Sequence, residues 1–290
     1  MLLVPEVAKR GAEFAPSRSA MRLKTLQRRT LAVLATGLIG APAAAAAQEG
    51  RELNNALKDV GHVWSAPARL DTEDLPGIAT LLGATGVALL VDEPVLAWLR
   101  SHPRSVPVML LGPFREGRPL NVLGRSYFLV GTSAVLFLAG VGGDDIALRD
   151  AGRGCAASVA ATTFSRHLVA RMLGRTRPRD NRGAFVIRPF AWGDWGMRSF
   201  PGGHGANAMS CVTFWNRRFE LGAAEPVLYG LAAAVGAGRV VDEAHWTSDT
   251  VFGLGYGHAV GRDVAFSQRG REPRSGVAAP ALVAGVTISF

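Results

Sequence analysis

The stretch AGRVVDEAHWTSDTVFG, residues 237–253, sets Arg239 six residues before His245 and Asp249 four residues after it. If residues 245–249 are helical, positions i and i+4 share a face. Asp249 can then hold one imidazole nitrogen of His245 and leave the other free to attack an electrophile. The plain alternative is an exposed His–Asp helix pair. Asp242 and Glu243 read as solvated residues of the same stretch.

Two upstream segments carry chemistry of a related kind. RSFPGGHGANA, residues 198–208, makes a Pro-Gly-Gly turn followed by His204 and an apolar helical run. The N–H groups of Gly202, Gly203 and the new helix N-terminus are expected to point outward there, which suits an anion. ARMLGRTRPRD, residues 170–180, sets Arg171, Arg175, Arg177 and Arg179 close together. The apolar helix before them should end near this point, because Pro178 disfavours a helical residue at 177. Taken singly, these are also a glycine turn with a surface histidine and a basic helix end that complements the macrodipole.

Taken in order, the segments are one Arg-Pro, one Pro-Gly-Gly-His turn and one Arg-x5-His-x3-Asp, between Ala170 and Asp249. This order resembles the type 2 phosphatidic acid phosphatase family, which shares its fold with vanadium haloperoxidases. The family pattern is Lys-x6-Arg-Pro, then Pro-Ser-Gly-His, then Ser-Arg-x5-His-x3-Asp. The chain departs from it at three positions: Ala170 stands where the family has lysine, and Gly202 and Gly238 where it has serines. Arg171, about 100° round a helix from position 170, is the expected partial substitute for the lysine.

The resemblance implies an all-α helical bundle and a metal-independent phosphatase acting on phosphate monoesters or diphosphates, with lipids among its expected substrates. In that scheme His245 attacks phosphorus and becomes a phosphohistidine. Asp249 orients and charge-stabilises the ring, and His204 protonates the leaving oxygen. Arg177, Arg239, Gly203, Gly202 and Arg171 bind the phosphate. The scheme needs no metal and no cofactor. Two other readings stay open: a vanadate-dependent haloperoxidase, since the same pocket holds vanadate, and a non-catalytic phosphate- or lipid-binding homologue, for which Gly202 and Ala170 speak.

The rest of the chain reads as helices joined by loops. Uncharged runs extend from Leu75 to Val91, from Ser126 to Gly143 and from Ser199 to Asn216, with shorter ones between Arg153 and Arg166, from Pro226 to Gly238 and from Thr250 to Gly261. None reaches the roughly 20 apolar residues of a spanning helix, so buried helices of a globular domain are preferred over a polytopic membrane protein. Few runs alternate with period two; the tail, residues 277–290, is the one candidate for a short terminal strand. No repeat or long linker divides residues 48–290, which read as a single helical domain.

Residues 1–47 read as a leader. From Met21 a basic segment, an apolar segment and the small residues Ala45, Ala46 and Ala47 follow the order of a secretory signal peptide cleaved before Gln48; an uncleaved N-terminal anchor is the alternative. The expected location is therefore outside the cytoplasm, periplasmic or at a membrane surface. The leader also holds much of the formal charge of +9; the remaining 25 basic and 21 acidic residues leave a net of +4, so nucleic acid is not an expected partner. Phosphorylated lipids or small phosphate esters are. Composition that is 48% hydrophobic and 19% charged excludes a disordered chain. Cys155 and Cys211 are expected as two small buried thiols, although an oxidising compartment would let them pair. His62, His102, His167 and His258 have no partners at metal-ligand spacing. Asp144 and Asp145 read as a solvated turn entering a helix at 146. Trp192 and Trp195 are open to either substrate lining or packing.

Overall fold

The uncharged runs fall in helices; in chain order the helices are α1 (Ala43–Trp64), α2 (Leu75–Leu90), α3 (Asp92–Ser101), α4 (Val106–Leu110), α5 (Ser126–Gly142), α6 (Ile146–Leu173), α7 (Gly203–Phe219), α8 (Glu225–Val241) and α9 (Thr247–Arg269). The structure is a computed structural model that describes residues 43–270. Among the described residues there is no strand or sheet, only an isolated bridge between Arg175 and Ile187. The architecture is all-α, as the sequence implies. The expected terminal strand lies outside the described residues, and so does the expected leader up to Ala43, where α1 begins.

Local chemistry sets the boundaries. Asp145 caps α6, its carboxylate accepting the Leu148 N–H at 3.1 Å. Gly174 closes the same helix in the left-handed conformation, φ 64°. Between them α6 runs for 28 residues, long enough to carry side chains from the core to the functional end of the molecule.

Glycine spacing then decides how closely the central helices meet. Gly253, Gly257 and Gly261 recur every fourth residue and form one bare stripe on α9. A Cβ on any of them would overlap the carbonyl oxygen of Gly202, Ala206 or Ser210 respectively. Those three also advance by four, so α9 lies along α7 in steady register, backbone against backbone. Further along α7, Phe214 is fully buried over Gly154 of α6. That contact brings α6 and α7 together, and Cys155 and Cys211 are joined in a disulfide with their Cα atoms 4.6 Å apart. The expectation of two thiols is thus corrected: helices this close place both sulfurs within bonding reach. Val159, Ala161, Phe214 and Val264 complete the main core around the bridge.

Among the described residues no single helix is long and apolar enough to cross a membrane; α2 and α3 pass that test only as a pair bent by 49°. α2 and α5 nevertheless leave Leu82, Leu90, Val135 and Leu138 exposed.

The packing yields a stability test. Gly257→Val forces a branched side chain into the α7–α9 contact and should destabilise the fold by about 1–3 kcal/mol. Gly230→Ala in α8, whose Cβ meets nothing, should be neutral or stabilise by up to about 1 kcal/mol. Urea denaturation of both variants checks the contrast; equal stabilities would contradict the close packing.

Candidate active site

Helix α8 ends at Val241, and a tight turn carries the chain to α9. The N–H groups of Ala244 and His245 both return to the carbonyl of Arg239, at 3.0 and 3.3 Å, and Glu243 adopts a φ of 55°. Helix α9 starts only at Thr247. His245 therefore precedes the helix, which corrects the expectation of a shared His–Asp helix face. Asp249, in the first turn, reaches back and accepts the Trp246 N–H at 2.9 Å, a favourable place for a carboxylate.

The pair stays close without a direct hydrogen bond: His245 Nδ1 lies 3.9 Å from Asp249 Oδ2. Nδ1 donates instead to the Ser199 carbonyl at 2.6 Å. A carbonyl can only accept, so this contact assigns the proton to Nδ1 and leaves the lone pair on Nε2. Burial, joined by the charges of Arg177 and Arg166, pulls the His245 pKa down to about 4 against the opposing pull of Asp249. The ring is neutral at pH 7, as a nucleophile requires.

Asp249 is fully buried and fully engaged. Its Oδ1 accepts Arg175 at 2.5 Å, and its Oδ2 accepts the Ser199 hydroxyl at 2.5 Å. Burial works against its charge, but His245, Arg175 and Ser199 hold its pKa below the usual carboxylate value. Arg175 in turn donates to Asp92 at 2.7 Å, to Ser248 Oγ at 2.7 Å and to the Ala184 carbonyl at 2.9 Å. Asp92, the first residue of α3, also accepts the Ser248 N–H at 2.9 Å. Arg175 and Asp92 are functional supports that the sequence reading did not single out. Their burial is invisible in sequence, and only the proximity of Arg175 to the Arg-Pro pair hinted at the first.

His245 and His204 line one cavity of about 450 Å³, with Arg166, Arg177, Arg239 and Glu116 around them. His204 arrives from the second position of α7, next to the N–H groups that a helix start leaves unpaired. Gly203 opens that helix as expected. Gly202 does not serve as expected, because its N–H is committed to the Asp249 carbonyl at 2.8 Å. The two missing serines have a steric cause. A Cβ at Gly202 would lie 2.9 Å from the Asp249 oxygen, and one at Gly238 would lie 2.7 Å from Phe114 Cβ.

Arg171 is also placed differently from the expectation. It lies on a neighbouring cavity of about 560 Å³, beside Val130, Val159 and Phe164, and donates to the His167 carbonyl at 3.1 Å. The rotation between positions 170 and 171 turns it off the histidine-lined face. Arg166 takes that face instead, four residues before Ala170. The four-residue spacing was the signal that could have found it.

The cavity carries surplus positive charge. Arg239 is paired, with Asp242 at 2.9 Å and Glu116 at 3.1 Å. Among the described residues Arg177 has only carbonyl acceptors, at Ala244, Trp195 and Arg198. Burial and the charges of Arg179 and Arg239 lower its pKa. Burial, Arg239 and His245 lower the His204 pKa to about 3. Among the described residues, no three His, Cys, Asp or Glu side chains converge as metal ligands would. Trp192 and Trp195 are both exposed, and Trp195 lines the rim of both cavities. His62 lies 3.2 Å from Asp263, and His102 packs on Trp98. His258 contacts Thr213, and Asp144 pairs with Arg149.

Residues 152–271 match the family model of the PAP2 superfamily. This stretch holds all three motifs, and the matched family is the one that the motifs resemble. The match supports phosphatase or haloperoxidase-like activity, and substrates of the phosphate-ester or lipid-phosphate kind, in general terms. No curated protein and no solved structure matches the chain. Asp92 lies outside the matched residues.

The depressed histidines generate a linked test. Their folded pKa values, about 3 for His204 and about 4 for His245, lie below the unfolded value of about 6.5. Their neutral form adds stability that is complete above pH ~6.5 and is lost as pH falls toward those folded values. A bound dianion raises both pKa values, so it takes up protons. Sulfate, which keeps its charge over this range, should bind more tightly at pH 5 than at pH 7 and oppose the acid loss of stability. Calorimetric titration reads this directly; an affinity that weakens on acidification would contradict it.

Proposed function

We propose that the protein is a metal-independent phosphatase that hydrolyses phosphate monoesters or diphosphates, with lipid phosphates as the main class, through a phosphohistidine at His245. The observation that carries this reading is the Nδ1 contact of His245 with the Ser199 carbonyl. It leaves an unprotonated Nε2 in a cavity that also holds His204 and four arginines, Arg166, Arg177, Arg179 and Arg239.

The chemistry follows from those groups. A phosphate dianion enters the cationic cavity and draws a proton onto His204. Nε2 of His245 attacks phosphorus in line while the bond to the leaving oxygen breaks. His204 gives its proton to that oxygen. Arg177 and Arg239 hold the equatorial oxygens, where transition-state charge is spread. The ring of the phosphohistidine is cationic; the Ser199 carbonyl keeps its N–H, and Asp249 at 3.9 Å opposes its charge. Water then attacks phosphorus, His204 accepts its proton, and the P–N bond breaks to free phosphate and neutral His245.

The second cavity supports an apolar leaving group. It adjoins the first through Trp195 and is walled by Val130, Val159 and Phe164. Exposed Leu82, Leu90, Val135 and Leu138 support work at a membrane surface. The Cys155–Cys211 disulfide supports a location outside the cytoplasm, in an oxidising compartment.

The test is phosphate release from lipid and soluble phosphates in the presence of a chelator, with a quench that traps the phosphoenzyme. His245→Ala should lose both turnover and the acid-labile, alkali-stable phosphoenzyme. His204→Ala should slow alkyl phosphates far more than p-nitrophenyl phosphate, whose leaving group needs no proton. Undiminished turnover in His245→Ala would overturn the mechanism. Phosphate binding by the wild type with no turnover of any ester would favour a binding homologue instead.

A further inference from the structure

We propose that Arg166 is the phosphate-binding cation of α6, taking the role of the motif lysine that is absent at Ala170 and reaching the anion from one helical turn nearer the start of that helix. The proposal deepens the phosphatase reading by naming a group that grips the substrate.

Three observations converge on it. Ala170 is buried and offers only a methyl group, while Arg166, on the same face, lines the cavity with both histidines. The guanidinium lies along the first turn of α7: a Cβ on Gly203 would sit 2.5 Å from Arg166 Nε. Glycine at 203 thus lets the cation lie beside the free N–H groups of that helix start, where a second positive influence acts on the same anion. Finally, Arg166 makes no ion pair with a carboxylate among the described residues. Its polar side-chain contact is the His167 ring, at 3.1 and 3.2 Å.

A partly buried guanidinium without a carboxylate is costly, and a phosphate would neutralise it. Burial and the charges of Arg177, Arg171 and Arg198 lower its pKa to about 10, which leaves it charged at neutral pH. The exchange of lysine for arginine also changes the contact. A guanidinium can grip two phosphate oxygens where an ammonium acts as a point charge. That second donor offsets the hydroxyl missing at Gly202.

The test compares Arg166→Met, Arg166→Lys and Arg171→Met by calorimetric titration with inorganic phosphate, beside kcat/KM for p-nitrophenyl phosphate. Methionine keeps an apolar stem against Gly203 and removes the charge. Arg166→Met should weaken phosphate binding by about tenfold or more and lower kcat/KM by about 10²–10³. Arg166→Lys should recover part of both, and Arg171→Met should have the smaller effect on phosphate affinity. Wild-type phosphate affinity in Arg166→Met, or a larger loss in Arg171→Met, would overturn the proposal. Circular dichroism verifies folding; if Arg166→Met does not fold, undiminished phosphate affinity in Arg166→Lys overturns the two-oxygen grip. A wild type that binds phosphate without turnover contradicts the phosphatase reading alone, and the titrations still decide Arg166. A wild type that binds no phosphate overturns both.

Discussion

The ion pair between Arg175 and Asp249, shut away from water, holds the functional end of this molecule together. A buried carboxylate must be satisfied on every side, since losing one partner of such a pair costs about 3–5 kcal/mol. Asp249 meets that demand with a guanidinium, a hydroxyl and a backbone N–H. Arg175 meets its own with two carboxylates, a serine and a carbonyl. Three separate pieces of chain are thereby locked: the start of α3 through Asp92, the segment after α6, and the first turn of α9. Ser199 joins the lock to the chemistry, because its hydroxyl serves Asp249 while its carbonyl fixes the tautomer of His245. Asp249 acts on His245 through charge and through Ser199 rather than by direct contact.

On the cavity side of this lock the balance of charge reverses. The carboxylates are turned inward to Arg175, and Arg166 and Arg177 face the cavity with no carboxylate of their own among the described residues. The histidines are neutral for the same reason: burial and neighbouring cations drive protons off them. A dianion is the natural complement of such a site. In the proposed mechanism its arrival supplies the missing negative charge and restores a proton to His204, the acid. Binding and catalytic readiness are in this way one electrostatic event.

Much of this was legible in the sequence, and the reasons are specific. Uncharged runs between capping residues marked the helices because burial leaves little room for charge. Fixed spacings marked His204, Arg177, Arg239, His245 and Asp249 because each motif is a short piece of rigid chain. What failed depended on contacts across the fold. The His245–Asp249 spacing suggested a helix face, but a left-handed residue at 243 delays the helix and turns the ring toward Ser199. Arg171 was the nearest cation in sequence, yet helical rotation carries it to the apolar cavity, and Arg166 is nearer in space. An oxidising compartment left pairing of the cysteines open, and only the packing of Phe214 on Gly154 fixed the distance between their helices. Asp92 lies far upstream of the motifs, and nothing local marks it.

In the proposed site His204 and His245 flank a single anion held by Arg166, Arg177 and Arg239. A crystal structure of the protein soaked with tungstate tests it most directly, since the metal oxyanion is easily located and mimics phosphate. The account predicts one strong peak in the histidine-lined cavity, with His245 Nε2 directed at the tungsten and guanidinium groups on its oxygens. Tungstate bound elsewhere with this cavity vacant, or His245 presenting Nδ1 to the anion, would contradict it.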